Sequence, residues 1–163
     1  MNHETMHFTM LNSKIFRYSQ AYLDRVLKKF ELSSGSYPYL FILDKKEGIS
    51  QNKISKEIGN DKAMSTRTIA KLIELGYVEK REDERDSRAY QLFLTDKAKE
   101  TLPEIHKEIQ TMIHFITEDL SEEEKLITIT SLRKIFSNIQ RLKETACSEN
   151  DEEKNTNGKY KQQ

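Results

Sequence analysis

The 163-residue chain has one cysteine, no long apolar run and no net charge, and each lack narrows what it can be. Cys147 alone builds neither a disulfide framework nor a multi-cysteine metal site. The apolar runs are only a few residues long, so nothing here spans a membrane. The first residues lack the basic-then-apolar layout of a secretory signal, which makes the cytoplasm the expected compartment. There is no Gly-rich phosphate loop, no nucleophile signature and no carboxylate pair that helix surface or capping does not explain better. The expectation is a non-enzyme without a cofactor. His106 and His114 lie eight residues apart, about two helical turns, too far for one small metal site, so no metal is expected.

The missing net charge bears on partners. Lys and Arg together number 27, as do Asp and Glu, whereas nucleic-acid binders are usually basic. Potential at a groove depends on charge within about 8 to 10 Å, however, and residues 62–71 carry Lys62, Arg67 and Lys71 with no acid. Over residues 50–90 nine basic side chains face eight acidic ones. Modest non-specific affinity with a few well-placed contacts is the reading.

What is present is helical period. Leu11, Ile15, Tyr18, Tyr22, Val26 and Phe30 mark a long helix ending before Ser33. A second starts at Ser36 or Tyr37, with Pro38 in its first turn and Leu40, Phe41 and Leu43 inward. Ser50 is a natural N-cap for a short helix carrying Ile54 and Ile58 on one face, and Gly59-Asn60 makes a turn. Asp61 then caps a helix to Leu75, closed by Gly76, with Ile69, Leu72 and Ile73 buried. That leaves Ala63, Met64, Thr66, Arg67 and Ala70 outward. Residues 77–80 and 90–94 read as two strands. Between them Arg81 to Tyr90 puts seven charges in ten positions, which can only be an exposed tip. From Thr95 a long helix follows, with Ala98, Leu102, Ile105, Ile109, Met112 and Ile116 in phase. The capping box Ser121 to Glu124 opens another, striped by Leu126, Ile129, Leu132, Phe136 and Ile139.

The fold class is therefore mainly α with a small β-hairpin wing (α+β), a winged helix-turn-helix domain carrying long N- and C-terminal dimerisation helices. The expected division is residues 1–35 (N-terminal segment and first dimerisation helix), 36–94 (winged domain), 95–146 (C-terminal dimerisation helices) and 147–163 (disordered tail). Helices this long cannot bury their stripes on a winged domain alone, so a second chain is expected to cover them.

The ordered set Gly48-Ile49-Ser50-Gln51, Ile54 to Gly59, Asp61-Lys62, Arg67, Leu72 and Leu75 to Val78 resembles the MarR-type transcriptional regulators over roughly residues 10–142. Asp83-Glu84-Arg85-Asp86-Ser87-Arg88 looks like that family's wing motif, Asp-x-Arg-Asp-x-Arg. The resemblance implies a homodimeric, sequence-specific DNA-binding regulator, a repressor, on a pseudo-palindromic operator, with possible small-molecule control. It implies that helix 61–75 enters the major groove and Arg85 the neighbouring minor groove. Ser65 departs from relatives, which commonly carry an aliphatic core residue there.

On that footing Arg67 is the base-edge candidate and Thr66 a base or phosphate contact, with Ala63 and Met64 toward thymine methyls and Lys62 and Lys71 on phosphate. Ser50 and Gln51 are backbone candidates. Asp83 and Asp86 are assigned to fixing the loop with Arg88 or Arg85. Tyr18, Tyr22, Tyr37, Tyr39 and Phe41 are candidates for lining a crevice for a small aromatic effector. Two other classes stay open at this point: a winged-helix protein-interaction adaptor that does not bind DNA, and a metal- or redox-sensing regulator using the histidines or Cys147.

Overall fold

The computed structural model describes the backbone of residues 3–83 and 86–159 and the side chains of residues 7–82 and 90–142. The elements run α1 (His3–Leu27), α2 (Tyr37–Lys45), β1 (Ile49–Ser50), α3 (Gln51–Ile58), α4 (Lys62–Glu74), β2 (Val78–Asp83), β3 (Asp86–Leu94), α5 (Asp96–Ile116) and α6 (Glu122–Lys159), with a 3-10 turn at Lys28–Phe30. The chain is mostly helical with one small antiparallel sheet, in keeping with its patterning. It divides into two compact units, Met1–Ile113 and His114–Gln163.

The first unit is built on a single core. Leu23 and Leu27 of α1, Leu40 and Leu43 of α2, Ile54 of α3, Ile69 and Leu72 of α4, Leu92 and Leu94 of β3, and Ala98, Leu102 and Ile105 of α5 are all buried in it. Each buried Leu or Ile contributes about 1.5–3 kcal/mol by leaving water. This core runs across both 35/36 and 94/95, where pattern alone set boundaries, because the ends of α1 and α5 supply the apolar surface that the short winged segment lacks.

Helix α1 begins at His3, not Leu11, and only its last turns meet the core. Its fully inward row is Leu23 and Leu27, with Tyr22, Val26 and Phe30 half-buried beside it, whereas Leu11, Ile15 and Tyr18 are exposed. Leu23 and Leu27 lie one residue on from Tyr22 and Val26, so the two rows are neighbours on the helix surface and the aromatic one masked the other.

The sheet has three strands in the order β1-β3-β2, one more than the hairpin expected. Ile49 pairs with Leu92 and Ser50 with Gln91, while Val78, Lys80 and Glu82 of β2 face Leu94, Leu92 and Tyr90 of β3. Gly48 makes the entry. Its φ of 74° suits glycine, and a Cβ there would lie 3.1 Å from the Gln91 Oε1 and 3.4 Å from the Phe93 ring. Strands β2 and β3 also reach further into the charged stretch than residues 80 and 90. A strand pair standing in water needs only its ladder hydrogen bonds, not apolar side chains, to continue.

In the second unit the capping box forms as the spacing requires. The Ser121 amide donates to the Glu124 carboxylate at 2.8 Å, and the Glu124 amide to Ser121 Oγ at 3.3 Å. This backbone hydrogen bond holds the Glu124 carboxyl below its ordinary value. Leu126, Ile129, Leu132, Phe136 and Ile139 of α6 are all exposed. The helix is continuous through 147–159, the stretch whose polarity had suggested a disordered tail. Its residues are mostly Glu, Lys, Asn and Ser, with no proline and no glycine before Gly158, so nothing in it breaks the helix.

Candidate nucleic-acid interface

Helices α3 and α4 form the helix pair, and each end is set by a named group. The Ser50 side chain accepts from the Lys53 amide at 3.4 Å and so caps α3. Gly59, at φ 82°, turns the chain out of α3 in the left-handed conformation that a non-glycine residue resists. The Asp61 carboxylate then accepts from the Met64 amide at 2.7 Å and starts α4. Ile54, Ile69 and Leu72 lock the pair to the core, and Lys97 Nζ donates to the Leu75 carbonyl at 2.7 Å, satisfying one of the orphan acceptors at the end of α4.

This clamping leaves one face of α4 in water. Lys62, Ala63, Met64, Thr66, Arg67, Ala70 and Lys71 are all exposed, Met64 by 45% despite its apolar side chain. Arg67 makes no ion pair among the described residues, so its guanidinium is uncommitted. Lys71 is paired with Glu74 at 2.9 Å in a solvent-exposed bridge worth little. Gln51 Nε2 donates to Thr66 Oγ1 at 2.6 Å, and that hydroxyl donates in turn to the Lys62 carbonyl at 2.7 Å. The first turn of α3 and the outer face of α4 are therefore presented together.

The hairpin of β2 and β3 follows α4 in the chain. On its outer side the Arg81 guanidinium lies 4.3 Å from the Phe93 ring centroid and pairs with Glu79, so this arginine braces the stalk. Arg85 lies outside the described residues, as do the side chains of Asp83, Asp86 and Arg88, whose backbones are strand.

Ser65, the aliphatic-to-hydroxyl departure, is completely buried on the inward face of α4. Its Oγ accepts from the Tyr39 hydroxyl at 2.9 Å, which satisfies the polar group that burial would otherwise penalise. Tyr39 itself is fully buried and also accepts from Asn60 Nδ2 at 3.1 Å.

Residues 32–90 match the MarR family. BilQ, an HTH-type transcriptional regulator from Clostridioides difficile (strain CD3), is 34% identical over 124 residues, which cover 76% of this chain and 82% of BilQ. The chain belongs to the MarR family. A MarR transcriptional regulator from Methanosarcina mazei Go1 has a similar fold, with a TM-score of 0.77, 28% identity and coverage of 84% of this chain and 99% of that one. The transcriptional repressor MprA of Escherichia coli (strain K12) is 26% identical, over 74% of this chain and 70% of its own. The exposed face of α4 thus belongs to a DNA-binding transcriptional regulator.

The five aromatic candidates of this MarR-family chain do not gather in one place. Tyr37 and Phe41 meet edge-to-face at 5.3 Å, and Phe41 stacks on His106 of α5 at 4.1 Å. Burial pushes the Tyr37 phenol up from its ordinary pKa. Tyr39 lies between them in sequence and therefore on the opposite side of α2, turned into the core. Tyr22 packs against the core edge under Arg25, and Tyr18, 77% exposed, lines no crevice among the described residues. His106, considered above only as a metal ligand, makes this ring contact with Phe41, which the sequence reading missed. Its signal was position: it follows Leu102 by four residues and precedes Ile109 by three, at the edge of the buried stripe.

Proposed function

We propose that this regulator acts in the cytoplasm as a homodimeric repressor of a pseudo-palindromic operator. Each protomer lays α4 in the major groove and reaches the adjacent minor groove with the wing. The observation that carries the reading is the outward face of α4, where Arg67, unpaired among the described residues, stands between Thr66 and Lys71 with Ala63 and Met64 exposed beside it, while Ile69 and Leu72 of the same helix are committed to the core. A guanidinium so placed can hold guanine O6 and N7 together, and Ala63 and Met64 offer apolar contact to thymine methyls. Lys62, Lys71, Ser50 and Gln51 serve the phosphates, and Arg85 enters the minor groove from a loop shaped by Asp83, Asp86 and Arg88.

The dimer is supported by surface chemistry. Phe8, Leu11, Ile15 and Phe16 of α1 and the stripe of α6 are exposed apolar side chains in helices, a surplus that a second copy removes from water. Two-fold symmetry of the protein then matches two-fold symmetry of the site. The Tyr37-Phe41-His106 cluster is the place where a small aromatic ligand would stack and change the affinity for DNA.

A salt-titrated binding assay against fragments from upstream of the gene and its neighbours tests the reading. At least one fragment is expected to be bound more tightly than random duplex at every salt concentration. Equal affinity for all fragments and for random duplex would sink it.

A further inference from the structure

The buried hydroxyl pair of α2 and α4 has a geometry that packing alone does not require. Tyr39 and Ser65 are both completely buried, and they meet through one 2.9 Å hydrogen bond inside an otherwise apolar core. Asn60, at the turn between α3 and α4, donates to the same phenol at 3.1 Å. The phenol oxygen therefore touches α4 and the turn that leads into it, from a ring held on α2.

A helix clamped only by apolar contacts can slide or roll by small amounts at small cost, since dispersion is non-directional. A hydrogen bond in a dry core is directional, and losing it strands a polar group. Ser65 stands between Met64 and Thr66 and two residues before Arg67, so whatever fixes Ser65 fixes the angle at which the outward residues leave the helix.

We propose that Tyr39 is a positioning residue for sequence reading: its hydroxyl, through Ser65 and Asn60, sets the axial rotation of α4 and thereby the discrimination made by Arg67 and its neighbours. This rests on the assignment of the α4 face as the base-reading surface. Tyr39 touches no DNA in this scheme.

The test uses the full chain, a duplex of about two helical turns recovered by the wild-type protein from a randomised pool, and a scrambled duplex of the same composition. For each variant the ratio of the two dissociation constants and the midpoint of thermal unfolding are measured. Tyr39→Phe and Ser65→Ala delete the same bond from opposite sides, so one reports should the other fail to fold. Each is expected to lower the ratio about five- to tenfold, mostly by weakening the selected duplex. The double variant Tyr39→Phe/Ser65→Ala separates positioning from stability. With both hydroxyls gone no polar group is stranded between them, and the half-buried Asn60 amide, which loses the phenol in either Tyr39 variant, can turn to water, so the unfolding midpoint recovers toward wild type while the ratio stays low. A ratio within twofold of wild type in the single variants overturns the proposal. So does a ratio that recovers together with stability in the double variant. Arg67→Ala, measured beside them, tells the two failures apart: if it too leaves the ratio unchanged, the base-reading assignment of α4 has failed, and if it alone lowers the ratio, only the role of Tyr39 has.

Discussion

Arg67 and Lys71 lie one turn apart on α4 and differ in what they are free to do. Lys71 is engaged with Glu74, and an ammonium offers a point charge, whereas Arg67 is unpaired among the described residues and offers a planar fork. Replacing Arg67 by alanine is expected to cost about 1–3 kcal/mol of discrimination between the preferred duplex and a variant altered at one base pair. Competition binding with the two duplexes checks this, and equal specificity ratios for wild type and variant would defeat it. At this scale the outward residues of α4 were legible from the sequence, because Asp61, Ile69, Leu72 and Gly76 fix the helix and its buried row. The partner of Ser65 was not. Tyr39 is 26 residues away on another helix, and no period within one element reveals such a pairing.

The elements differ in how they respond to salt and to acid. For the wing, Arg85→Ala is expected to weaken binding to all duplexes by a similar factor and to lower the slope of log K against log salt by about one, as the loss of one positive charge from the minor groove should. An unchanged slope together with lost specificity would assign Arg85 to base reading instead. For α6, the Glu124 carboxyl is held below its ordinary value by the Ser121 amide. A carboxylate with a depressed folded-state pKa stabilises the helix start fully above the free Glu value of about 4.3 and loses that effect as pH falls through the folded value. The Ser121 amide resonance should therefore titrate with a midpoint below that of free Glu, and a midpoint at or above it would show that the box does not form in solution. The capping box was readable from four consecutive residues. Strand β1 was not, because two residues have no period, and its only trace was a glycine before a β-branched residue.

For the whole molecule the decisive quantity is apolar surface left in water. Leu132 and Phe136 lie one turn apart on the exposed stripe of α6, so the pair Leu132→Asp/Phe136→Asp should weaken self-association strongly while leaving the first unit folded. Light scattering across a concentration series reads the mass, and a wild-type chain that remains monomeric at micromolar concentration would remove the dimer from the proposal. The helical class and the sheet hairpin followed from periodicity, whereas the two-unit division did not. The core joins α1 to α5 across 68 or more intervening residues, and periodicity says which side of a helix is apolar without saying what covers it. Ser50 carries a further consequence. The same residue is paired with Gln91 in the sheet and caps α3, so the stalk of the wing and the start of the helix pair are one mechanical part. In the proposed dimer the span from hairpin stalk to α4 would then act within each protomer as a gauge of constant length, and adaptation to different operators would be left to the distance between two such gauges.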